Sequence, residues 1–161
     1  MGDRLAGKVA VVTGGGNGLG RATAVRFAEE GAAVVVADLL DGPGQETVHQ
    51  VEAAGGRATF VSVDVTSRVD NDLMARTAIE QYDGLHVVVT AAGVASGGYV
   101  SGDLELAEKS MRAQAGRSPS SAFVNLDVDD WQTVLDVNLT GTLKSLQACV
   151  GAMLEIGRAH V

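Results

Sequence analysis

The sequence of 161 residues is poor in cysteine, aromatic side chains and long apolar runs. Its single cysteine, Cys149, cannot form an internal disulfide or a cysteine-rich zinc site, and its three histidines lie far apart. The first residues lack the basic-then-apolar pattern of a signal peptide, and no apolar run approaches the ~18 residues of a membrane span. We therefore expect a cytoplasmic protein with no metal site and no membrane partner.

Basic residues are also scarce, with 12 Lys and Arg against 20 Asp and Glu and a net charge of -8. Such a balance repels phosphate backbones, so nucleic acid is a poor partner. Hydrophobic residues make up 46% of the chain, which is enough apolar material for the core of one domain. Glycine, in contrast, is abundant at 21 residues, and its clustering gives the first indication of function.

Short β-branched runs alternate with amphipathic segments through the first part of the chain. The pattern predicts strands at 8–13, 33–37, 58–63 and 86–90, with a helix after each of the first three. Strands that alternate with helices at this spacing form right-handed β-α-β units. The sequence therefore predicts an α/β fold, with a parallel sheet covered by helices on both faces.

The pattern changes after the fourth strand. Residues 93–126 are rich in Gly, Ser and Ala apart from a helical stretch at 103–114, and loops of this length are usually functional or disordered. A helix is then predicted from Asp127, its N-cap, to about Met153. Its residues expected to face a core are Trp131, Val134, Leu135, Leu139, Leu143 and Leu146.

A glycine-rich segment between the first strand and the first helix is the strongest candidate site. It reads Thr13-Gly14-Gly15-Gly16-Asn17-Gly18-Leu19-Gly20. Glycines permit a tight turn and the close approach of a ligand to the main chain, and the helix N-terminus offers N–H groups to a pyrophosphate. The spacing differs from the commoner GxGxxG pattern, and a glycine-rich turn without a ligand is the alternative interpretation.

Asp38 ends the second strand 24 residues after Gly14, close to the ~20-residue offset expected of an acid that binds an adenosine ribose. Its carboxylate would accept both ribose hydroxyls and repel a 2′-phosphate. Neither Leu39 nor residues 15–17 supply a cation to offset that charge. The sequence therefore favours NAD over NADP as the cofactor, although a turn-forming aspartate without a ligand remains the alternative.

With these features in this order, residues 7–153 resemble the short-chain dehydrogenase/reductase family, in the subfamily whose loop reads TGxxxGxG. Two further motifs carry the resemblance, Thr90-Ala91-Ala92-Gly93, where members usually show Asn-Ala-Ala-Gly, and Leu135-Asp136-Val137-Asn138-Leu139-Thr140-Gly141. The resemblance implies that Asn138 is catalytic, that Asp64 is the acid that contacts adenine, and that Val65 is its neighbour at the cofactor. The residues that it assigns to the cofactor are Thr13, Gly14, Gly16, Asn17, Gly18, Leu19, Gly20, Asp38, Leu39, Asp64, Val65, Thr90, Ala91, Ala92 and Gly93.

The resemblance also implies a Rossmann-type, doubly wound sheet of seven strands, of which this chain holds four in the order 3-2-1-4. The family's catalytic serine, tyrosine and lysine have no counterpart here, because the only tyrosines, Tyr82 and Tyr99, precede Asn138 and lack a lysine four residues later. We therefore expect the N-terminal portion of a larger enzyme, inactive alone. Its parent would be a homo-oligomeric, NAD-dependent oxidoreductase that moves hydride between nicotinamide and a small alcohol or carbonyl substrate, with Asn138 holding a water in the proton relay.

The last residues have an unusual coding property. Glu155 to Val161 can be encoded by DNA that contains AGATCGGAAGAGCACACGTC, a string resembling a widely used sequencing adapter. We therefore expect residues 1–154 to be the NAD-binding portion and residues 155–161 to be a non-native tail. A natural helix end capped by Gly157 is the alternative.

Two other functions fit parts of the pattern. A sensor could hold NAD without turnover, and a Tyr-x-x-x-Lys motif after Asn138 in the complete reading frame would exclude it. A Rossmann-like methyltransferase also has a glycine loop and an acid after its second strand, but the motif around Asn138 argues against it.

Overall fold

A computed structural model describes residues 2–95, 108, 112 and 118–157 of the chain. The helix predicted at 103–114 lies almost entirely outside the described residues. Most of the segment 93–126, Tyr99 and residues 158–161 lie outside them as well.

The centre of the fold is a parallel sheet of four strands in the order β3-β2-β1-β4. The strands are β1 (Val9–Thr13), β2 (Ala33–Asp38), β3 (Arg57–Ser62) and β4 (Val87–Thr90). In register, Val11 of β1 lies between Val35 of β2 and Val88 of β4. Every residue of β1 and β2 is buried, as expected for valine- and alanine-rich strands with both faces covered. The predicted fold class and strand order are confirmed.

The two faces of the sheet are covered by α1 (Gly18–Glu29), α2 (Asp41–Ala53), α3 (Arg68–Tyr82) and α6 (Thr142–Glu155). Two short helices, α4 (Pro119–Val124) and α5 (Val128–Leu135), lie between β4 and α6 in the chain. Val12 and Val36 point to the face where α1 and α2 pack, and Val11 and Val35 point to the face where α3 and α6 pack. Because successive strand residues point to opposite faces, one valine run supplies both halves of the core. No helix in the described ranges is long and apolar enough to cross a bilayer.

The last predicted helix is interrupted. Asp127 caps α5 as predicted, since its carboxylate accepts from the N–H groups of Asp129 and Asp130 at 2.9 and 3.3 Å. A six-residue π-helical segment, Asp136–Gly141, then separates α5 from α6. Such segments are rare and occur frequently at functional sites. This one carries Asn138.

The expectation that the large apolar residues of this helix face a core is wrong for most of them. Trp131, Leu139 and Leu143 are 50%, 67% and 56% exposed. The face of α6 that packs on the sheet and on α3 consists of smaller side chains and one methionine, namely Ser145, Ala148, Cys149 and Met153. Small residues let α6 pack closely on the sheet and on α3, and the larger apolar residues lie on another side of the helix, exposed to solvent. This exposed stripe comprises Leu139, Leu143, Leu146, Val150 and Leu154.

An ion cluster fastens the N-terminal segment to the end of α1. The buried Glu30 carboxylate accepts from Arg4 Nη2 at 2.7 Å and also pairs with Arg26. The Leu5 N–H donates to the Glu30 carbonyl at 2.8 Å. The hydrogen bond from Arg4 lowers the pKa of the Glu30 carboxyl from 4.5 to about 2, with the Arg4 and Arg26 charges acting in the same direction.

We expect the 161-residue chain, expressed alone, to aggregate or to form a molten state. The exposed stripe presents apolar surface to water, and the outer edge of β4, a run of three valines without a charged residue, has no partner strand among the described residues. The same chain extended by the C-terminal portion that the family resemblance implies should be soluble. Gel filtration and amide NMR spectra of both proteins test this, and a monomeric, sharply melting 161-residue chain with dispersed amide signals would contradict it. Whichever of these two proteins folds is termed the folded form.

The Glu30 cluster predicts a specific acid sensitivity. Because the folded-state pKa lies below the unfolded value, the stabilisation is complete above pH 4.5 and is lost as the pH falls toward 2. Glu30→Gln should therefore lower the urea midpoint of the folded form at pH 6, and the gap to wild type should close below pH 4.5. Glu29→Gln is the control, since its ion pair with Arg26 is exposed and worth little. A gap that stayed constant from pH 6 to 3 would contradict the assignment.

Candidate cofactor site

The segments that follow the four strands lie along one edge of the sheet, because the carboxyl ends of parallel strands meet there. The chain leaves β1 toward β2 on one side, whereas β4 lies on the other side, so a crevice is expected between the segments after β1 and β4. Gly14 marks the closest approach, since a Cβ on it would lie 2.7 Å from the Ala91 carbonyl oxygen.

The glycine loop has the conformation that its sequence predicts. Gly14 and Gly18 have φ values of +63° and +51°, in the left-handed region that favours glycine. A Cβ on Gly20 would lie 2.0 Å from the Gly14 carbonyl oxygen, so glycine is needed for α1 to pack on the loop. The N-cap residue Asn17 makes no side-chain cap, and the first turn of α1 has no acidic residue. The N–H groups of this helix end are therefore available to an anion.

Asp38 lies against the glycine loop. The residue is only 8% exposed. Its Oδ2 accepts from the Gly16 N–H at 2.8 Å, and its Oδ1 accepts from the Leu40 N–H at 3.0 Å. A carboxylate has about four acceptor positions, so about two remain for a ligand. A Cβ on Gly16 would lie 2.8 Å from Asp38 Oδ2, which explains the glycine at this position. Leu39 follows as an exposed, uncharged residue.

Arg21 and Thr47 also contact the loop, and the sequence analysis gave neither a role. Arg21 Nε donates to Thr47 Oγ1 at 3.0 Å, and Arg21 Nη2 donates to the carbonyl oxygens of Gly16 and Pro43. The Thr47 hydroxyl lies within hydrogen-bonding distance of the Gly15 and Pro43 carbonyl oxygens, at 2.9 and 3.1 Å. A sequence signal exists for Arg21, because a cation in the first turn of a helix is unfavourable to the helix dipole unless other groups compensate.

The turn after β3 carries Asp64 and Val65. Asp64 Oδ1 accepts from the Thr66 N–H and hydroxyl at 2.8 and 2.7 Å, which shapes the turn. The Val65 side chain is buried in the core, and its carbonyl accepts from Asn71 Nδ2 at 2.8 Å. Ser145 of α6 donates to Asn71 Oδ1 at 2.7 Å in a buried contact. Helices α3 and α6 therefore hold this turn from below.

The segment after β4 is held from two sides. Thr13, almost fully buried, accepts from the Ala92 N–H at 3.3 Å. Asn138 makes a pair of bonds with the main chain of Val94, donating from Nδ2 to its carbonyl at 2.9 Å and accepting from its N–H at 2.8 Å. Gly93 permits this approach, since a Cβ there would lie 3.2 Å from Asn138 Oδ1. The π-helical segment is thus fastened to the continuation of β4.

The structure brings most of the predicted site residues to this edge of the sheet, with Thr13 and Val65 buried beneath it as supports. Cys149 lies elsewhere, in the core, where burial raises the pKa of its thiol to about 12. A thiol with that pKa is not a nucleophile at neutral pH. The described ranges contain no group of three or more side chains that could hold a metal ion.

Comparison with known proteins agrees with this geometry. The model of the short chain dehydrogenase family matches residues 8–161. The chain belongs to this family. Across all 161 residues it is 32% identical to a 2,5-dichloro-2,5-cyclohexadiene-1,4-diol dehydrogenase of Sphingobium indicum and 34% identical to a 3-alpha-(or 20-beta)-hydroxysteroid dehydrogenase of Mycobacterium tuberculosis. It covers 55% and 52% of those two proteins, so it spans about half the length of the relatives that it matches.

Solved structures show the same relation. A carveol dehydrogenase from Mycobacterium avium in complex with NAD superposes with a TM-score of 0.76 at 28% identity, over 98% of this chain and 53% of the other. A 7α-hydroxysteroid dehydrogenase complexed with NADH and 7-oxo glycochenodeoxycholic acid superposes with a TM-score of 0.73 at 26% identity, over 96% of this chain and 51% of the other. Both confirm the Rossmann-type fold of this chain.

The close packing at Gly20 yields a mutational test. Gly20→Ala should destabilise the folded form by at least ~1–3 kcal/mol, because the new methyl group meets main chain that cannot move aside easily. Gly42→Ala is the matched control, since a Cβ there meets nothing within 4 Å and alanine favours a helix. Urea unfolding measures both free energies. Equal stability of the two variants would show that α1 does not require a glycine at residue 20.

Proposed function

We propose that this chain is the NAD-binding portion of an oxidoreductase that transfers hydride between nicotinamide and an alcohol or carbonyl substrate. The observation that carries the proposal is the buried Asp38 carboxylate, bonded to the Gly16 N–H beside the uncapped N-terminus of α1. A carboxylate and a free helix end are the two groups that an adenosine diphosphate moiety requires. Two structural relatives, one in complex with NAD and one with NADH, lend support.

The residues at the sheet edge fit the cofactor. In this proposal the N–H groups at the start of α1 bind the diphosphate, and the acceptor positions left on Asp38 bind the ribose hydroxyls. Asp64 has a second oxygen to which none of the described residues donates, and we assign it to the adenine amino group. The segment 90–93 would lie next to the nicotinamide ribose. When bound, NAD supplies the group that accepts or releases hydride.

The groups that move the substrate proton lie, in this proposal, beyond the present chain. The sequence has no Tyr-x-x-x-Lys motif, and the chain spans about half of its relatives, so we propose that it has no dehydrogenase activity alone. Asn138 would act through a water. Its side-chain amide already binds the main chain of Val94, and its main-chain carbonyl accepts from the Thr142 hydroxyl. The water would use the hydrogen-bonding capacity that these groups have left.

We propose a small-molecule substrate, since the relatives are named for a cyclic diol and for hydroxysteroids. We also propose a homo-oligomeric, cytoplasmic parent in which residues 1–154 are the NAD-binding portion and residues 155–161 a non-native tail. Sequencing the source DNA beyond codon 154 tests this division. A downstream Tyr-x-x-x-Lys supports the enzyme, and a complete reading frame without one favours the NAD sensor.

Asp38 provides the test of cofactor choice. In the folded form, Asp38→Ala should raise the Kd for NAD about tenfold or more, because the ribose loses a buried acceptor. It should also bring the Kd for NADP closer to that for NAD, because the charge that repels the 2′-phosphate is gone. Titration calorimetry with both cofactors gives the ratio of the two Kd values. Asp41→Ala is the matched control, an exposed acid three residues later. An unchanged NAD to NADP ratio in Asp38→Ala would refute the assignment, and binding of S-adenosylmethionine in place of NAD would refute the function.

A further inference from the structure

Arg21 occupies a position that its charge alone disfavours. It lies in the first turn of α1, where the partial positive charge of the helix dipole repels a cation. Three acceptors offset this cost, namely the Gly16 and Pro43 carbonyl oxygens and the Thr47 hydroxyl. The side chain is thus directed toward α2.

Two consecutive peptide groups of the loop are fixed on this side. The Thr47 hydroxyl reaches the Gly15 carbonyl oxygen at 2.9 Å, and Arg21 binds the Gly16 carbonyl oxygen. In a planar trans peptide the C=O and N–H groups point in opposite directions. The Gly16 N–H therefore points away from Thr47, and it is bonded to Asp38. By the same geometry the Asn17 N–H points away from Arg21.

The pair is rigid because Thr47 is fully buried. Its hydroxyl accepts from Arg21 Nε at 3.0 Å and has the Gly15 and Pro43 carbonyl oxygens as acceptors, so it links α1, α2 and the loop. Loss of either side chain would leave buried carbonyl groups without a donor. The loop could then satisfy them only by rotating its peptide groups, which would turn the N–H groups as well.

We propose that Arg21 and Thr47 are a positioning pair for the cofactor. They hold the carbonyl groups of Gly15 and Gly16 on the α2 side, so that the N–H of Asn17, the N-cap residue of α1, faces the diphosphate. Neither residue needs to touch the cofactor, because Nε and Nη2 of Arg21 are already bonded to protein oxygens. This inference rests on the proposed function, namely that the site binds NAD.

The proposal predicts different effects on the binding of the diphosphate and of the adenosine part of the cofactor. Asp38 keeps a bond from the Leu40 N–H that does not depend on the pair, so the ribose site should survive its loss. Arg21→Met and Thr47→Val should therefore each raise the Kd for NAD and ADP-ribose about tenfold or more in the folded form. The Kd for adenosine should rise only about twofold. Thr47→Ser, which keeps the hydroxyl, should bind NAD within about twofold of wild type.

Arg26→Met is the matched control, an arginine in the same helix whose ion pairs involve Glu29 and Glu30 rather than the loop. Titration calorimetry gives the Kd for NAD and ADP-ribose, NMR titration gives that for adenosine, and urea unfolding reports stability. The Arg21→Met/Thr47→Val double variant should have about the same Kd for NAD as whichever single variant binds NAD more weakly. Its two changes disrupt the same hydrogen-bonded pair, so their effects should not add.

The possible results separate this inference from the proposed function. Wild-type protein that binds neither NAD nor ADP-ribose overturns both. If the wild type binds NAD and the Kd of Arg21→Met lies within twofold of that of Arg26→Met, only the positioning pair is overturned. Equal losses for adenosine and ADP-ribose also overturn it, since they indicate general damage to the fold. If Arg21→Met does not fold, the comparison of Thr47→Val with Thr47→Ser decides the question by the same criteria.

Discussion

The hydrogen bond between the Gly16 N–H and the Asp38 carboxylate is the contact around which the candidate site is arranged. It joins the loop after β1 to the end of β2, and it requires that residue 16 has no side chain. The neighbouring constraints serve the same end, because a Cβ on Gly20 would meet the Gly14 carbonyl and a Cβ on Gly14 would meet the segment after β4. The loop is therefore a place where main chain packs directly on main chain, and it leads into a helix end that has no side-chain cap.

The other parts of the site are supported from behind in a comparable way. Thr13 and Asn138 hold the segment after β4, Asn71 and Ser145 hold the turn after β3, and Thr47 with Arg21 holds the glycine loop. These side chains belong to helices or strands of the scaffold, and they bind main-chain groups of the loops. A surface built of main-chain groups and held by rigid elements suits a ligand such as a dinucleotide, whose phosphates are recognised by N–H groups.

The two faces of α6 differ in burial and in side-chain size. The inner face of small residues, with Ser145, Ala148 and Cys149, packs on the sheet and on α3. The exposed stripe on the other side has the spacing of a buried helix face. The outer edge of β4 is also without a partner strand among the described residues. Both surfaces are of the kind that further chain or a second subunit covers in a complete protein.

The sequence by itself determined the class of fold, because it depends on local patterns. Valine runs predict buried parallel strands, whereas the glycines of the loop and Asp38 indicate a ribose and diphosphate site only together with the other motifs of the family. Tertiary structure decided which helix face is buried, because α6 carries two apolar faces and periodicity cannot rank them. It also decided the π-helical turn at Asn138 and the pairing of Arg21 with Thr47, 26 residues apart. These features arise from contacts between distant segments, and no local pattern in the chain encodes a contact whose partner lies on another helix.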